Sequence, residues 1–94
     1  MHFIANPDAN INGTSFHDVT IKMDYHLMVK CLGEPHFFGG DGDKTQYEWI
    51  FTGEDGNSVT VYDWKSYSKY PKVWNLGGMN KEITARFKDW FYAL

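Results

Sequence analysis

The stretch from Thr45 to Lys65, TQYEWIFTG-EDGN-SVTVYDWK, constrains the fold more than any other part of the chain. Two runs rich in β-branched and aromatic residues flank an Asp-Gly pair, the pattern of a β-hairpin closed by a tight turn. Reading Asp55-Gly56 as a two-residue turn sets the register by counting. Thr52 then faces Val59, Phe51 faces Thr60, Ile50 faces Val61, Trp49 faces Tyr62, Glu48 faces Asp63 and Tyr47 faces Trp64. Successive side chains on a strand point to opposite faces. This register predicts Tyr47, Trp49, Phe51, Thr60, Tyr62 and Trp64 on one face, and Glu48, Ile50, Thr52, Val59, Val61 and Asp63 on the other. A one-residue slip breaks that sorting.

The elements around the hairpin follow from shorter signals. NPDANING, residues 6 to 13, consists of turn-formers, so residues 1–13 read as a flexible N-terminal arm and 14–94 as one domain. Strict alternation from Val19 to Met23 predicts a strand over Ser15–Met23, with Phe16 also apolar. The period then changes: Asp24 suits an N-cap, and Leu27, Met28, Cys31 and Leu32 form one helical stripe over residues 25–32. Gly33 and Pro35 stop that helix. HFFGGDGDKT, residues 36 to 45, is a glycine-rich loop without the spacing of a calcium or phosphate loop. SYSKYP, residues 66 to 71, is a second loop, and Lys72–Leu76 a further strand closed by a Gly77-Gly78 turn. Ile83, Phe87, Trp90, Phe91 and Leu94 recur at three- and four-residue steps and predict a helix over 80–93, capped by Asn80. The order β-α-β-β-β-α is that of an α+β domain: an antiparallel sheet with the helices packed on one face.

Size makes the rings matter. A chain of 94 residues leaves much of its surface exposed, so its core is marginal. Phe, Tyr and Trp make up 18% of the residues and offset this, each removing roughly 150–250 Å² from water when buried. Self-association is a further way for a small domain to cover apolar surface, so a homo-oligomer is compatible with the sequence. The formal charge of −3 argues against nonspecific nucleic-acid binding and against an anionic membrane as partner. One cysteine, Cys31, excludes an internal disulfide, fits a reducing cytosol and reads as a small buried apolar residue. No apolar run approaches a membrane span, and MHFIANPDAN lacks the form of a signal peptide.

Three features can carry chemistry. Glu48 opposite Asp63 would place like charges across two strands, to be relieved by a shared proton, by Lys44 or Lys65, or by a cation. The same pair could work as acid and base in hydrolysis, or simply form a solvated sheet edge. The rings Tyr47, Trp49, Tyr62 and Trp64, with Tyr67, Tyr70 and Trp74 nearby, are either core beneath the last helix or a surface that stacks bases or anchors a protein. Lys65, Lys69 and Lys72 supply positive charge, and the Gly77-Gly78 turn into a helix N-terminus offers N–H groups to an anion. Within the ring set, Trp49 and Trp64 are assigned to the fold, and Tyr67, Tyr70 and Lys65 to the contact. The spacing of His2, His17, His26 and His36 matches no zinc pattern, and no catalytic signature, metal site or cofactor motif is present.

Lys44, Glu48-Trp49, Asp55-Gly56, Tyr62-Asp63-Trp64-Lys65, Trp74 and Gly77-Gly78, with TSF at 14–16 and LGEP at 32–35, carry a resemblance. Over roughly residues 14–90 the chain resembles a family of small, mostly uncharacterised bacteriophage proteins. The resemblance implies a phage accessory protein that disarms its bacterial host by binding, in the host cytoplasm. Family members often carry Asn at the position of Asp63, which argues against an essential carboxylate pair. The expected function is therefore a non-catalytic, anti-CRISPR-like inhibitor that binds a host defence protein or complex. Alternatives are a sponge for a nucleotide immune signal, a small hydrolase using Glu48 and Asp63, and a virion structural protein. The candidate contact set is Lys44, Glu48, Tyr62, Asp63, Trp64, Lys65, Tyr67, Tyr70, Trp74, Gly77 and Gly78.

Overall fold

The structure, a computed structural model, describes residues 1–39 and 43–94. The centre of the glycine-rich loop, residues 40–42, lies outside the described residues. Along the chain run β1 (Phe3–Ala5), β2 (Ser15–Lys22), α1 (Tyr25–Leu32), β3 (Phe37–Phe38), β4 (Tyr47–Gly53), β5 (Ser58–Tyr62), β6 (Val73–Gly78) and α2 (Lys81–Tyr92). The fold is α+β, with a six-stranded antiparallel sheet ordered β1-β4-β5-β6-β2 and β3 also paired to β4. Two short strands, β1 and β3, extend the expected β-α-β-β-β-α order. Part of the expected N-terminal arm therefore belongs to the sheet: Phe3 pairs with Gly53 and is buried among core rings.

The hairpin differs from its expected register by one residue. Its loop has three residues, not two. The Gly53 N–H donates to the Asn57 carbonyl at 2.8 Å, the Gly56 N–H returns to the Gly53 carbonyl at 2.9 Å, and Gly56 sits at φ 85°. This is a type I turn followed by a left-handed residue, the usual three-residue solution. Asp55 fixes it by accepting from the Asn57 backbone and side chain at 3.0 and 3.1 Å. Thr52 thus faces Ser58, Phe51 faces Val59, Trp49 faces Val61 and Glu48 faces Tyr62. Val59 and Val61 move to the side of Trp49 and Phe51, so that all four are buried together. Burying that continuous apolar set is what specifies the register.

The core gathers Trp49, Phe51, Val59, Val61, Trp74 and Leu76 from the sheet, Met28 from α1 and Ile83, Phe87 and Phe91 from α2. Trp49 and Trp74 are fully buried and meet edge-to-face at 5.3 Å. Both indole N–H groups find carbonyls at 2.9 Å, that of Trp49 on Gly33 and that of Trp74 on Met23. These two bonds clamp the segments just before and just after α1 to the sheet, and satisfy the donors that burial would otherwise strand. Asp24 caps α1, its carboxylate accepting from the His26 N–H, and Asn80 caps α2, accepting from the Ile83 N–H. Cys31, expected inside, is exposed on α1.

β6 runs through Gly78, two residues beyond its expected end. Gly77 and Gly78 are buried strand residues rather than a turn, pairing with Phe16 and Ser15 of β2. A Cβ on Gly77 would stand 2.5 Å from Thr60 Oγ1. A Cβ on Gly78 would stand 2.8 Å from side-chain carbons of both Ile83 and Thr84. Glycine is there to let strand and helix approach, not to cradle an anion.

Candidate functional site

The loop between β5 and β6 is built from a buried carboxylate outward. Asp63 is fully buried. Its Oδ1 accepts the Gln46 and Tyr47 N–H groups at 2.8 and 2.9 Å, and its Oδ2 accepts the Ser66 hydroxyl at 2.8 Å. Further bonds tie the loop to the start of β4. The Lys65 N–H donates to the Lys44 carbonyl at 2.7 Å, the Gln46 amide to the Ser68 carbonyl at 3.0 Å, and the Tyr47 hydroxyl to the Lys69 carbonyl at 2.9 Å. Lys65 and Tyr67 both sit in the left-handed region, at φ 50° and 48°. Such conformations are costly for non-glycine residues and persist where surrounding structure imposes them. The effect is to turn Trp64, Tyr67 and Tyr70 outward, at 50%, 63% and 44% exposure.

Lysines surround these rings. The Nζ atoms of Lys44 and Lys65 lie 5.8 and 5.7 Å from the Trp64 ring centroid, and that of Lys69 lies 5.7 Å from the Tyr70 ring. The two ion pairs among the described residues, Met1–Glu54 and Arg86–Glu82, involve none of these lysines. Tyr70 also stacks on His26 at 4.9 Å and stands 6.0 Å from Tyr25, which backs the loop with the start of α1. A groove of about 500 Å³ runs beside the loop between Trp64, Tyr70, Lys72, Val73 and Asn75. A second, of about 430 Å³, lies between Phe38, Gln46, Tyr47, Tyr67 and Lys69.

The expected contact set divides accordingly. Lys44, Trp64, Lys65, Tyr67 and Tyr70 come together at this exposed end. Trp74 is fully buried core, Asp63 is an internal structural acceptor, and Gly77 and Gly78 are packed strand positions. Trp64, assigned from sequence to the fold, is half exposed because the slipped register moves it off the core face. Glu48 and Asp63 are not opposed, so the carboxylate pair behind the hydrolase alternative does not form. Glu48 instead lies half-buried opposite Tyr62. Burial pushes its carboxyl above the usual glutamate range. Burial also raises the Tyr62 phenol, against a hydrogen bond from Asn75 and with a smaller push from Glu48.

Sequence reasoning missed Phe16, Val73 and Asn75. Phe16, Tyr62, Trp64 and Asn75 line a groove of about 350 Å³ that shares Trp64 and Asn75 with the groove beside the loop. Phe16 carried a signal: it is out of phase with the Val19–Met23 alternation. The structure resolves this as a bulge between Phe16 and Thr20, with Asp18 at φ 63°. Among the described residues no group of three or more His, Cys, Asp and Glu gathers to hold a metal, and no helix is long and apolar enough to cross a membrane. Compared with protein-family models, curated proteins and solved structures, the chain has no match, and its functional reading rests on the loop and its lysines.

Proposed function

We propose that the protein works by binding, and that the exposed loop docks against an acidic face of a partner protein. The observation that carries this is Trp64, half exposed beside two lysines that form no ion pair among the described residues, on a loop with left-handed residues anchored by a buried carboxylate. Solvent-facing Trp and Tyr on a pre-organised loop are the residue types enriched in protein-binding hot spots, and lysines around them steer an acidic partner in. The helices cover the core face of the sheet in this reading and leave the loop end to the partner. Small-molecule sites enclose most of their ligand, whereas the grooves here are open and the Gly77-Gly78 segment is unavailable as an anion cradle. A protein target is therefore favoured over a nucleotide. The resemblance to phage proteins makes that target a bacterial defence protein or complex, inhibited in the host cytoplasm.

The test is affinity capture from host lysate with wild-type protein and with Lys65→Glu, Tyr67→Ala and, on α2, Lys81→Glu. A host protein retained by wild type and Lys81→Glu but lost by the two loop variants is the expected result. Retention by all three variants overturns the loop as the contact. A nucleotide that raises the melting temperature of wild type but not of Lys65→Glu would replace docking with sequestration.

A further inference from the structure

Two neighbouring grooves share Trp64 and Asn75 in their linings, and end to end they trace a channel. It begins at Tyr70 and Lys72 on the loop, passes Val73 and Trp64, and crosses β6 to Phe16 on β2. Its lining is mostly rings and aliphatic carbon, interrupted by Ser66, Ser68 and Asn75, and Phe16 and Val73 stand exposed at 41% and 49%. Its loop end is cationic, with Lys44 and Lys65 at Trp64 and Lys72 in the wall. An open, mostly apolar trough with a rim of lysines that form no ion pair among the described residues is complementary to a chain that alternates apolar and acidic side chains. In an extended segment, alternate side chains point to opposite sides, so the apolar set enters the trough, and the long lysine side chains of the rim reach up to the carboxylates of the other set.

Resting on the docking reading above, we infer that the partner element seated here is an extended acidic segment. Its apolar side chains occupy the Phe16–Trp64–Val73 trough and its carboxylates meet Lys44, Lys65 and Lys72. The channel thus adds Phe16, on a strand remote in sequence from the loop, and Val73 and Asn75, on the strand that directly follows it.

The test uses defined peptides and the emission of Trp64, the one tryptophan that is exposed. An end-blocked octapeptide of alternating glutamate and leucine is titrated against wild type, Phe16→Thr, Val73→Thr and Lys65→Glu. Alternating lysine and leucine, all-glutamate, AMP and an oligothymidylate serve as the other arms. The expected result is saturable binding of the glutamate–leucine peptide, at least fivefold tighter than all-glutamate, with no binding of the lysine–leucine peptide. Phe16→Thr and Val73→Thr each weaken it at least fivefold; they lie on different strands, so misfolding of one leaves the other as the test. No saturation up to 2 mM, indifference to both trough substitutions, or equal binding of the lysine–leucine peptide overturns the inference. So does AMP or oligothymidylate binding that both trough substitutions abolish, which would make the channel a nucleobase site. The two readings fail separately. A captured host protein lost with Lys65→Glu but kept by Phe16→Thr and Val73→Thr leaves docking intact and removes the channel. One kept by both Lys65→Glu and Tyr67→Ala removes docking itself.

Discussion

Asp63 is an acid whose work is internal. Its two oxygens accept three hydrogen bonds that join the end of β5, the start of β4 and the turn at Ser66. Asp63→Ala strands two amide donors and is expected to cost about 1–3 kcal/mol in urea unfolding, and to shift the Trp64 emission as the loop loosens. Asp63→Asn keeps an acceptor oxygen and is expected to cost less. Glu48 behaves in the opposite sense. Burial raises its carboxyl above the ordinary value of 4.5, so the folded state holds the proton more tightly than the unfolded state. Stability then falls as pH rises from 4.5 through the folded value, because ionisation is penalised only in the fold. Glu48→Gln is expected to raise the melting temperature at pH 7 and to leave it unchanged at pH 3.5. Equal shifts at both pH values would assign the effect to packing instead. At this scale the sequence displayed which residues were acids and rings but not their surroundings: Trp64 and Trp74 look alike in the string, yet one is half exposed and the other sealed.

Elements with a long enough local signal were legible. Both helices start where their caps, Asp24 and Asn80, place them, and β4 and β5 are the two arms of the hairpin. The register was not, because two-residue and three-residue loops share the same Asp-Gly pair, and the choice between them is made by the burial of Val59 and Val61 far from the turn. Strands as short as β1 and β3, of three and two residues, cannot display a period at all. Gly77-Gly78 misled for a related reason. Glycine pairs commonly mark turns, but here the missing Cβ atoms make room for Thr60 on one side and for α2 on the other. Gly78→Ala drives a methyl into the carbons of Ile83 and Thr84, both buried and unable to yield. It is expected to cost about 1–3 kcal/mol, lowering the melting temperature by roughly 4–8 °C for each kcal/mol. An unchanged melting curve would mean that α2 slides freely on β6.

Taken whole, the molecule carries a net charge of −3 yet gathers Lys44, Lys65, Lys69 and Lys72 around one loop. The sequence showed Lys65, Lys69 and Lys72 close together in the string; what brings Lys44 to them is the pairing of β4 with β5 and the backbone bond of Lys65 to the Lys44 carbonyl. Trp49 and Trp74 are sealed and Trp90 is partly covered, so collisional quenching reports chiefly on Trp64. Iodide is expected to quench more efficiently than caesium, with the gap narrowing as salt screens the lysines, and Trp64→Phe is expected to abolish it. An iodide-to-caesium quenching ratio no higher than that of free N-acetyltryptophanamide would mean that the lysines exert no local field at the ring. The packing of Phe3 against Phe87 and Trp90, at 5.1 and 5.5 Å, bears on a different matter, the birth of the chain on the ribosome. Phe3 must wait for Phe87 and Trp90 of α2 before it is shielded, and its strand partner β4 also follows it at a distance. Native contacts so distant in sequence slow folding, because the loop between them must close first. Folding during synthesis therefore cannot proceed segment by segment. The nascent hairpin remains without its roof until α2 has been made, and Phe3 stays open to solvent and to wrong partners for the whole of that interval.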